Sequence, residues 1–440
     1  MSEHKKTSFS TKIGLIMAAA GSAVGLGNIW KFPYIAGENG GSAFLIVYLV
    51  CVALFGLPLI MTEFIIGKRS GKSAFGAFEA LSGNKRWNWL SWLCILTAVF
   101  IMGFYVVVTG WCFSYLTEAV SHVFSNLDTE SLSAHFTHVV SNTPRMVLFS
   151  ILPILLTAGV LWFEVNKGIE RLSKILMPLL LLMMVLMAGR VLMLEGSNVG
   201  MQFFFQADFS KITPKVILEA MGQCFFSLSI GMGALITYGS YMPKNQNITA
   251  SSIQVVVLDT LVAVMAGLII FPAVFAFGFD PAEGPQLVFV VLPAIFGQMS
   301  FSWLSSVLFF TLLCIAAITS TISLMEVAVA FVSEASGGKL NRHKSVLVVS
   351  VVAVVLCVLC IVVPRVFDIF DQVSSCVLMP LGALGMSLFV GWSLPKKGEK
   401  GILHAHNGVK QWLGNIFVFT LRWIVPLAII VIFLNSLGLL

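Results

Sequence analysis

Charge is what this 440-residue chain has least of: 10% of its residues are charged, against 58% hydrophobic. With a mean hydropathy of +0.96, that balance excludes a water-soluble domain and specifies a polytopic membrane protein. Histidine is equally sparse. All seven, His4, His122, His135, His138, His343, His404 and His406, lie in termini or between apolar runs, where they cannot build a catalytic centre at membrane depth. There is no HExxH, no nucleophile elbow and no P-loop, and Gly25-x-Gly27 lacks the strand and third glycine of a dinucleotide fingerprint. These absences argue against an enzyme. The eight cysteines all fall within apolar runs, so no disulfides are expected. The net charge of +6 comes from short clusters between apolar runs, which excludes the basic face of a nucleic-acid binder.

What is present is a series of apolar runs, and about 20 residues suffice for a helix to cross a bilayer. We expect eleven spans, at 13–36, 43–67, 90–120, 146–163, 173–194, 217–241, 254–278, 303–333, 345–363, 372–394 and 416–438. The first run is too long for a signal-peptide core and is read as a retained span. Lys and Arg gather in alternate loops and are absent from 112–144 and 281–302. That asymmetry predicts a cytoplasmic N-terminus.

Two spans contain breaks. Gly21-Ser-Ala-Val-Gly-Leu-Gly-Asn28 interrupts the first, and Gly222-Gln223 through Ser227, Ser229 and Gly231-Met-Gly233 interrupts the sixth. Bare backbone in hydrocarbon costs several kcal/mol per group unless protein or ligand satisfies it. Gly21-x3-Gly25 alone would fit a small-residue packing face, but that leaves Asn28 and the second break unexplained. Breaks five spans apart predict an all-α fold of two inverted five-helix halves, 13–194 and 217–394, followed by an eleventh helix at 416–438, in one membrane domain over 1–440. Each break exposes carbonyls suited to a cation and N–H groups suited to an anion, so a facing pair suits a zwitterion.

Oxygen-bearing side chains accompany the breaks: Asn28, Ser227, Asp259, Thr319 and Ser320, the donor type that hard cations such as sodium prefer. Asp259 stands inside Val-Val-Val-Leu-Asp-Thr-Leu-Val, and an intramembrane acid is by default functional. A buried protonated acid bonded to a neighbouring backbone is its alternative. Thr319-Ser320-Thr321 alone would equally fit hydroxyls bonding their own turn. Glu63, Glu219 and Glu326 also fall within spans, without a motif beside them.

Gly21-Ser-Ala-Val-Gly-Leu-Gly-Asn-Ile-Trp-Lys-Phe-Pro33, Glu38-Asn-Gly-Gly41, Gln223-Cys-Phe-Phe-Ser-Leu-Ser229, Ile236-Thr-Tyr-Gly-Ser-Tyr241 and Ala317-Ile-Thr-Ser-Thr321 closely resemble the neurotransmitter:sodium symporter family, in its bacterial amino-acid branch. The resemblance covers essentially all spans. It implies sodium-coupled symport by alternating access, with two sodium sites. The first would use the Ala23 carbonyl, Asn28, Ser227, Asp259 and the substrate carboxylate. The second would use carbonyls of Gly21, Val24 and Ala316 with the hydroxyls of Thr319 and Ser320. Substrate would meet Ala23, Gly27, Ile101, Tyr105, Phe226, Ser227, Ser229, Met232, Ser320 and Leu324. Lys31 and Asp371 would flank the outer gate, and Lys6, Phe9, Ser240, Tyr241 and Glu334 the inner one. Gly168 and Pro178 match a bacterial motif for local unwinding.

The sequence departs from the family pattern at three positions. Lys31 replaces a common Arg, so a bidentate bridge becomes a point-charge contact. Phe9 replaces a common Trp. Asp259 stands where chloride-dependent members carry Asn; Tyr48, Gln223 and Ser227 of that anion site remain, but a fixed carboxylate disfavours an added anion, implying chloride independence. The expected substrates are neutral, hydrophobic L-amino acids, aromatic or large aliphatic, with Met232 between glycines as a flexible wall. A proton-coupled transporter or a non-transporting sensor on the same fold is the alternative. The expected setting is a prokaryotic plasma membrane (inner membrane in a Gram-negative cell), with the lipid bilayer and an amino acid as partners, a monomer sufficient for transport and no nucleic acid.

Overall fold

Apolar runs too long to solvate and capped by polar residues become helices. In the computed structural model, which describes residues 8–124, 129–165, 167–243, 245–282, 284, 286–337, 339–394 and 411–436, five of the spans start at such caps. Thr11, Asn142, Thr213, Asn247 and Asn341 each accept a hydrogen bond from a first-turn N–H of the first, fourth, sixth, seventh and ninth spans. Among the described residues, nine continuous helices are long and apolar enough to cross a membrane. They are Ser42–Ser70, Lys85–Val120, Thr143–Leu161, Ile169–Leu192, Ile248–Ala276, Ser302–Ala335, Arg342–Val362, Pro364–Ser393 and Gly414–Leu434.

The other two expected spans are the broken ones. Lys12–Ala23 and Gly27–Glu38 meet at a 49° bend and together count as a tenth span. The sixth divides into Pro214–Ser227 and Ala234–Ser240, each too short to cross alone. Counted as one interrupted span, it completes the expected eleven. Gly168 caps the fifth span and Pro178 lies inside its helix.

Burial orders the bundle. The apolar windows of the third and eighth spans are 78% buried and those of the fourth, ninth and eleventh 33%, so the first group forms the centre and the second faces lipid. The broken first span packs against the fifth, seventh and eighth. Its break therefore lies in the protein interior, where neighbouring side chains can reach the backbone. A short apolar helix, Leu287–Gln298, joins the seventh and eighth spans and is buried over most of its length.

Candidate functional site: two facing helix breaks

The first helix ends where Val24 turns to an extended conformation, φ −69° and ψ 109°. The Gly25 N–H then donates to Asn28 Oδ1 at 3.1 Å instead of to the carbonyl of Gly21, and the Leu26 N–H donates to Tyr105 Oη at 3.1 Å. Glycine at 25 lets the two hydroxyls approach, because a Cβ there would lie 2.3 Å from Ser320 Oγ and 2.8 Å from Tyr105 Oη and would displace them. In the sixth span the chain passes through positive φ at Ser229 (+55°), Gly231 (+93°) and Gly233 (+76°). A non-glycine residue in that region is uncommon. Two bonds hold it: Ser229 Oγ donates to the Ser22 carbonyl (2.9 Å) and the Gly231 N–H donates to Glu63 Oε1 (2.9 Å). The two breaks are thus tied to each other, and Glu63, without a motif in the sequence, anchors one of them.

Asp259 is the hub of the polar centre. It is fully buried, and Asn28 Nδ2 donates to its Oδ1 at 2.8 Å and to its carbonyl at 3.1 Å. Ser227 Oγ donates to Oδ2 at 2.9 Å, while itself accepting from Asn28 Nδ2 (2.9 Å) and Tyr48 Oη (3.2 Å). Gln223 Nε2 donates to the Gly27 carbonyl at 2.7 Å. The first, second, sixth and seventh spans therefore converge on one carboxylate. Three of the four residues expected at the first sodium site are joined by direct bonds, and Ala23 is nearby in the first break.

The second expected cation site also gathers. Ser320 Oγ reaches the Val24 carbonyl at 3.3 Å. A Cβ on Gly21 would lie 3.3 Å from Thr319 Cβ, so these two face each other, and Thr319 Oγ1 lies 3.0 Å from the Ala316 carbonyl. Oxygen donors with a helix end whose Gly21 carbonyl has lost its Gly25 partner suit a hard, dehydrated monovalent cation. The first set offers carbonyl, hydroxyl, amide and carboxylate oxygens and the second carbonyl and hydroxyl oxygens, all hard donors of the kind that fits sodium.

Between the breaks lies a cavity of about 30 Å³, lined by Ala23, Gly27, Ile101, Tyr105, Phe226, Ser229, Met232, Ser320 and Leu324, together with Ser22, Gly25 and Met379. Nine of the ten expected substrate residues line it. Ser227 does not; its hydroxyl is turned to Asp259. Met379, which the sequence reading missed, comes from the tenth span, whose backbone packs so closely that a Cβ on Gly231 would lie 2.4 Å from the Met379 carbonyl. The small residues of Met379-Pro-Leu-Gly-Ala-Leu-Gly385 were the available signal for that approach. Ser22 Oγ is buried and without a hydrogen-bond partner among the described residues. No charged side chain lines the cavity.

The expected gate residues separate into those brought together and those not. Lys31 Nζ sits 4.2 Å from the Phe226 ring centroid, a cation–π contact. Asp371 instead accepts from Ser375 Oγ at 3.2 Å, and among the described residues no ion pair joins it to Lys31. On the inner side, Phe9 is buried, its N–H donates to the Tyr241 carbonyl (3.0 Å), and its ring meets Tyr238 and Tyr241 edge-on. Ser240 Oγ bonds its own turn at Thr237, and Glu334 holds the Ser73 N–H and hydroxyl. Lys6 lies outside the described residues. The stronger inner contact went unassigned in the sequence: Glu326, fully buried, accepts from Tyr241 Oη at 2.8 Å and pairs bidentately with Arg342 at 3.0 and 2.8 Å. An intramembrane acid needs a partner, and Arg342, opening the ninth span, was the candidate cation.

A helical membrane bundle with a central oxygen-rich cavity between two broken helices has the architecture of a secondary transporter, and not of an enzyme. The comparisons with known proteins agree. The chain belongs to the Sodium:neurotransmitter symporter family, whose pattern it matches over residues 6–131 and 124–438. It is 40% identical over its full length, and that of the relative, to the uncharacterized sodium-dependent transporter YhdH of Bacillus subtilis. A second uncharacterized sodium-dependent transporter, from Haemophilus influenzae, is 32% identical over 98% of both chains. The crystal structure of MhsT in complex with L-phenylalanine superposes with a TM-score of 0.89 at 38% identity, covering 98% of this chain and 99% of that one. The protein is accordingly a sodium-dependent membrane transporter.

Proposed function

We propose that the protein couples sodium entry to uptake of neutral, hydrophobic L-amino acids, aromatic or large aliphatic, by alternating access and without chloride. The observation that carries this reading is the cavity lining. Ile101, Phe226, Met232 and Leu324 provide an apolar wall with no charge to pair an acidic or basic side chain, while Ser22 Oγ offers an unpaired polar group. MhsT, a relative at 38% identity, binds L-phenylalanine. A cavity of about 30 Å³ has room for only a water or two, so substrate enters by displacing flexible walls, foremost Met232. Two sodium ions are assigned: one to Ala23, Asn28, Ser227 and Asp259, one to Gly21, Val24, Ala316, Thr319 and Ser320. The substrate carboxylate at the first would link ion and substrate affinity reciprocally.

Chloride independence follows from Asp259. Its carboxylate already takes the Ser227 hydroxyl and the Asn28 amide, and the Tyr48 hydroxyl is shared between Ser227 and that carboxylate, which leaves a second anion repelled and short of donors. The remaining assignments are inverted halves at 13–194 and 217–394, a cytoplasmic N-terminus, and a monomeric transport unit in a prokaryotic plasma membrane. The test is uptake of radiolabelled tryptophan, phenylalanine and leucine into proteoliposomes, with sodium or chloride replaced in turn. Uptake requiring sodium and indifferent to gluconate in place of chloride supports the proposal. Uptake driven by a proton gradient alone, or sodium-free binding with no uptake, would move the protein to the proton-coupled or sensor alternative.

A further inference from the structure

A second cavity, of about 510 Å³, opens beside the start of the fifth span, among Ser10, Phe163, Lys167, Glu170, Arg171 and Lys174. Three of these are cationic and one is an acid, and the acid is already saturated. Glu170 Oε1 accepts from Thr11 Oγ1 (2.7 Å) and Lys174 Nζ (2.6 Å), and its Oε2 accepts from the Ser10 N–H (2.6 Å). Among the described residues, neither Lys167 nor Arg171 has a carboxylate within ion-pair distance. Arg171 and Lys174, three apart, share a face of the helix start, and Lys167, just before the Gly168 cap, joins them in the pocket lining. The cavity is thus a concave, positively charged pocket whose one negative group is spent internally.

The helix face below it is apolar and uncovered. From Arg171 the same stripe continues through Ile175 (58% exposed), Leu179, Leu182 (56%) and Leu186 (55%). Exposed aliphatics at these depths must meet acyl chains. Trp162 and Phe163 project at the rim, the usual place for aromatic side chains at the membrane surface. A free anion would use only the charged end of this arrangement. A molecule with a negative head and two apolar tails uses all of it.

We propose that this pocket binds the headgroup of an anionic phospholipid, its phosphate held by Lys167 and Arg171 and its chains laid along Ile175 to Leu186. The bound headgroup also abuts Ser10, whose N–H is held by Glu170. The inference is independent of which substrate is carried.

The full chain, purified and placed in nanodiscs of phosphatidylcholine, is titrated with phosphatidylglycerol and bound lipid counted by native mass spectrometry. Wild type is expected to retain one phosphatidylglycerol in preference to phosphatidylcholine. A basic residue near an anionic headgroup contributes about fivefold in affinity, so the Lys167→Gln, Arg171→Gln double variant should bind roughly 25-fold more weakly. The charge-conserving Lys167→Arg, Arg171→Lys variant should retain binding, as should Lys85→Gln, Arg86→Gln, which removes equal charge from another loop. Equal retention of the two lipids, equal losses in both neutralised variants, or displacement by millimolar inorganic phosphate would each overturn the proposal; the last would identify a free-anion site.

Discussion

Replacing Glu326 by Gln should open the inner side of the transporter. Glu326 is wholly buried, holds Arg342 through two bonds of 3.0 and 2.8 Å and accepts the Tyr241 hydroxyl at 2.8 Å. Tyr241 in turn receives the Phe9 N–H and packs its ring against that of Phe9. Glutamine preserves shape but leaves the largely buried guanidinium without its counter-charge, a loss of about 3–5 kcal/mol when one partner of a buried pair is removed. Arg342 regains water only if the closure loosens, so the equilibrium between closed and open inner sides shifts by up to about 10²–10³-fold. Hydrogen–deuterium exchange over the peptides carrying Phe9 to Ala20 should rise accordingly, and sodium-driven uptake should fall. The pairing of Glu326→Gln with Arg342→Gln removes both charges and should restore slow exchange to within about tenfold of wild type, since only hydrogen bonds of about 1 kcal/mol each are then lost. Unchanged exchange in a folded, substrate-binding Glu326→Gln protein would refute the reasoning.

Asp259→Asn should weaken sodium binding about 100-fold, because a fully buried carboxylate accepting charge-assisted bonds at 2.8 and 2.9 Å is lost; sodium titration of substrate binding checks this, and added chloride should restore part of the loss. Gly25→Ala should abolish substrate binding measured by scintillation proximity, since the new methyl carbon would lie 2.3 Å from Ser320 Oγ. Leu324→Phe should fill part of the cavity and lower affinity for phenylalanine more than for alanine, by about 5- to 150-fold in the ratio of their inhibition constants, an overpacking effect of about 1–3 kcal/mol. Glu63→Ala should lower the melting temperature, because the buried Gly231 N–H loses its side-chain acceptor at 2.9 Å.

The architecture was legible because lipid makes it so. Helices that must satisfy their own backbone announce themselves as apolar runs, and each expected span overlaps an observed helix or pair of half-helices, although the seventh and tenth helices begin at Ile248 and Pro364, well before the expected 254 and 372. The helix Leu287–Gln298 was not legible, since an apolar run of that length cannot be told from a loop by hydropathy. Within the site, residues marked by an anomaly were found: glycine at mid-depth, and Asp259 among valines. Residues whose role depends on a partner from a distant span were not. Met379 is ordinary until the tenth span is seen against Gly231, and Glu326 carries no motif until Arg342 arrives from the next helix. Lys31 and Asp371 do not form an ion pair among the described residues; the Lys31 ammonium lies 4.2 Å from the Phe226 ring instead.

The bonding pattern also explains how one site can control two sides. The polar centre does not hold the first helix by its ends but at its break, through Asn28 to Asp259 and Ser227, and through Val24 to Ser320. Below the break, the Lys12–Ala23 half is anchored separately, because Glu170 holds Ser10 and Thr11 and Tyr241 holds Phe9. With backbone hydrogen bonding interrupted between 23 and 27, the two halves are joined by a short hinge instead of a rigid rod. Such a hinge would let the inner half swing when its inner anchors at Phe9, Ser10 and Thr11 release, while the outer half stays fixed to Asp259. Cations drawn to the oxygens of both clusters would bridge the hinge to the seventh and eighth spans and oppose that swing. On the proposed ion assignment, occupancy would bias the inner side toward closure, and loss of the ion bridging the first and eighth spans should come before release of Phe9 from Tyr241.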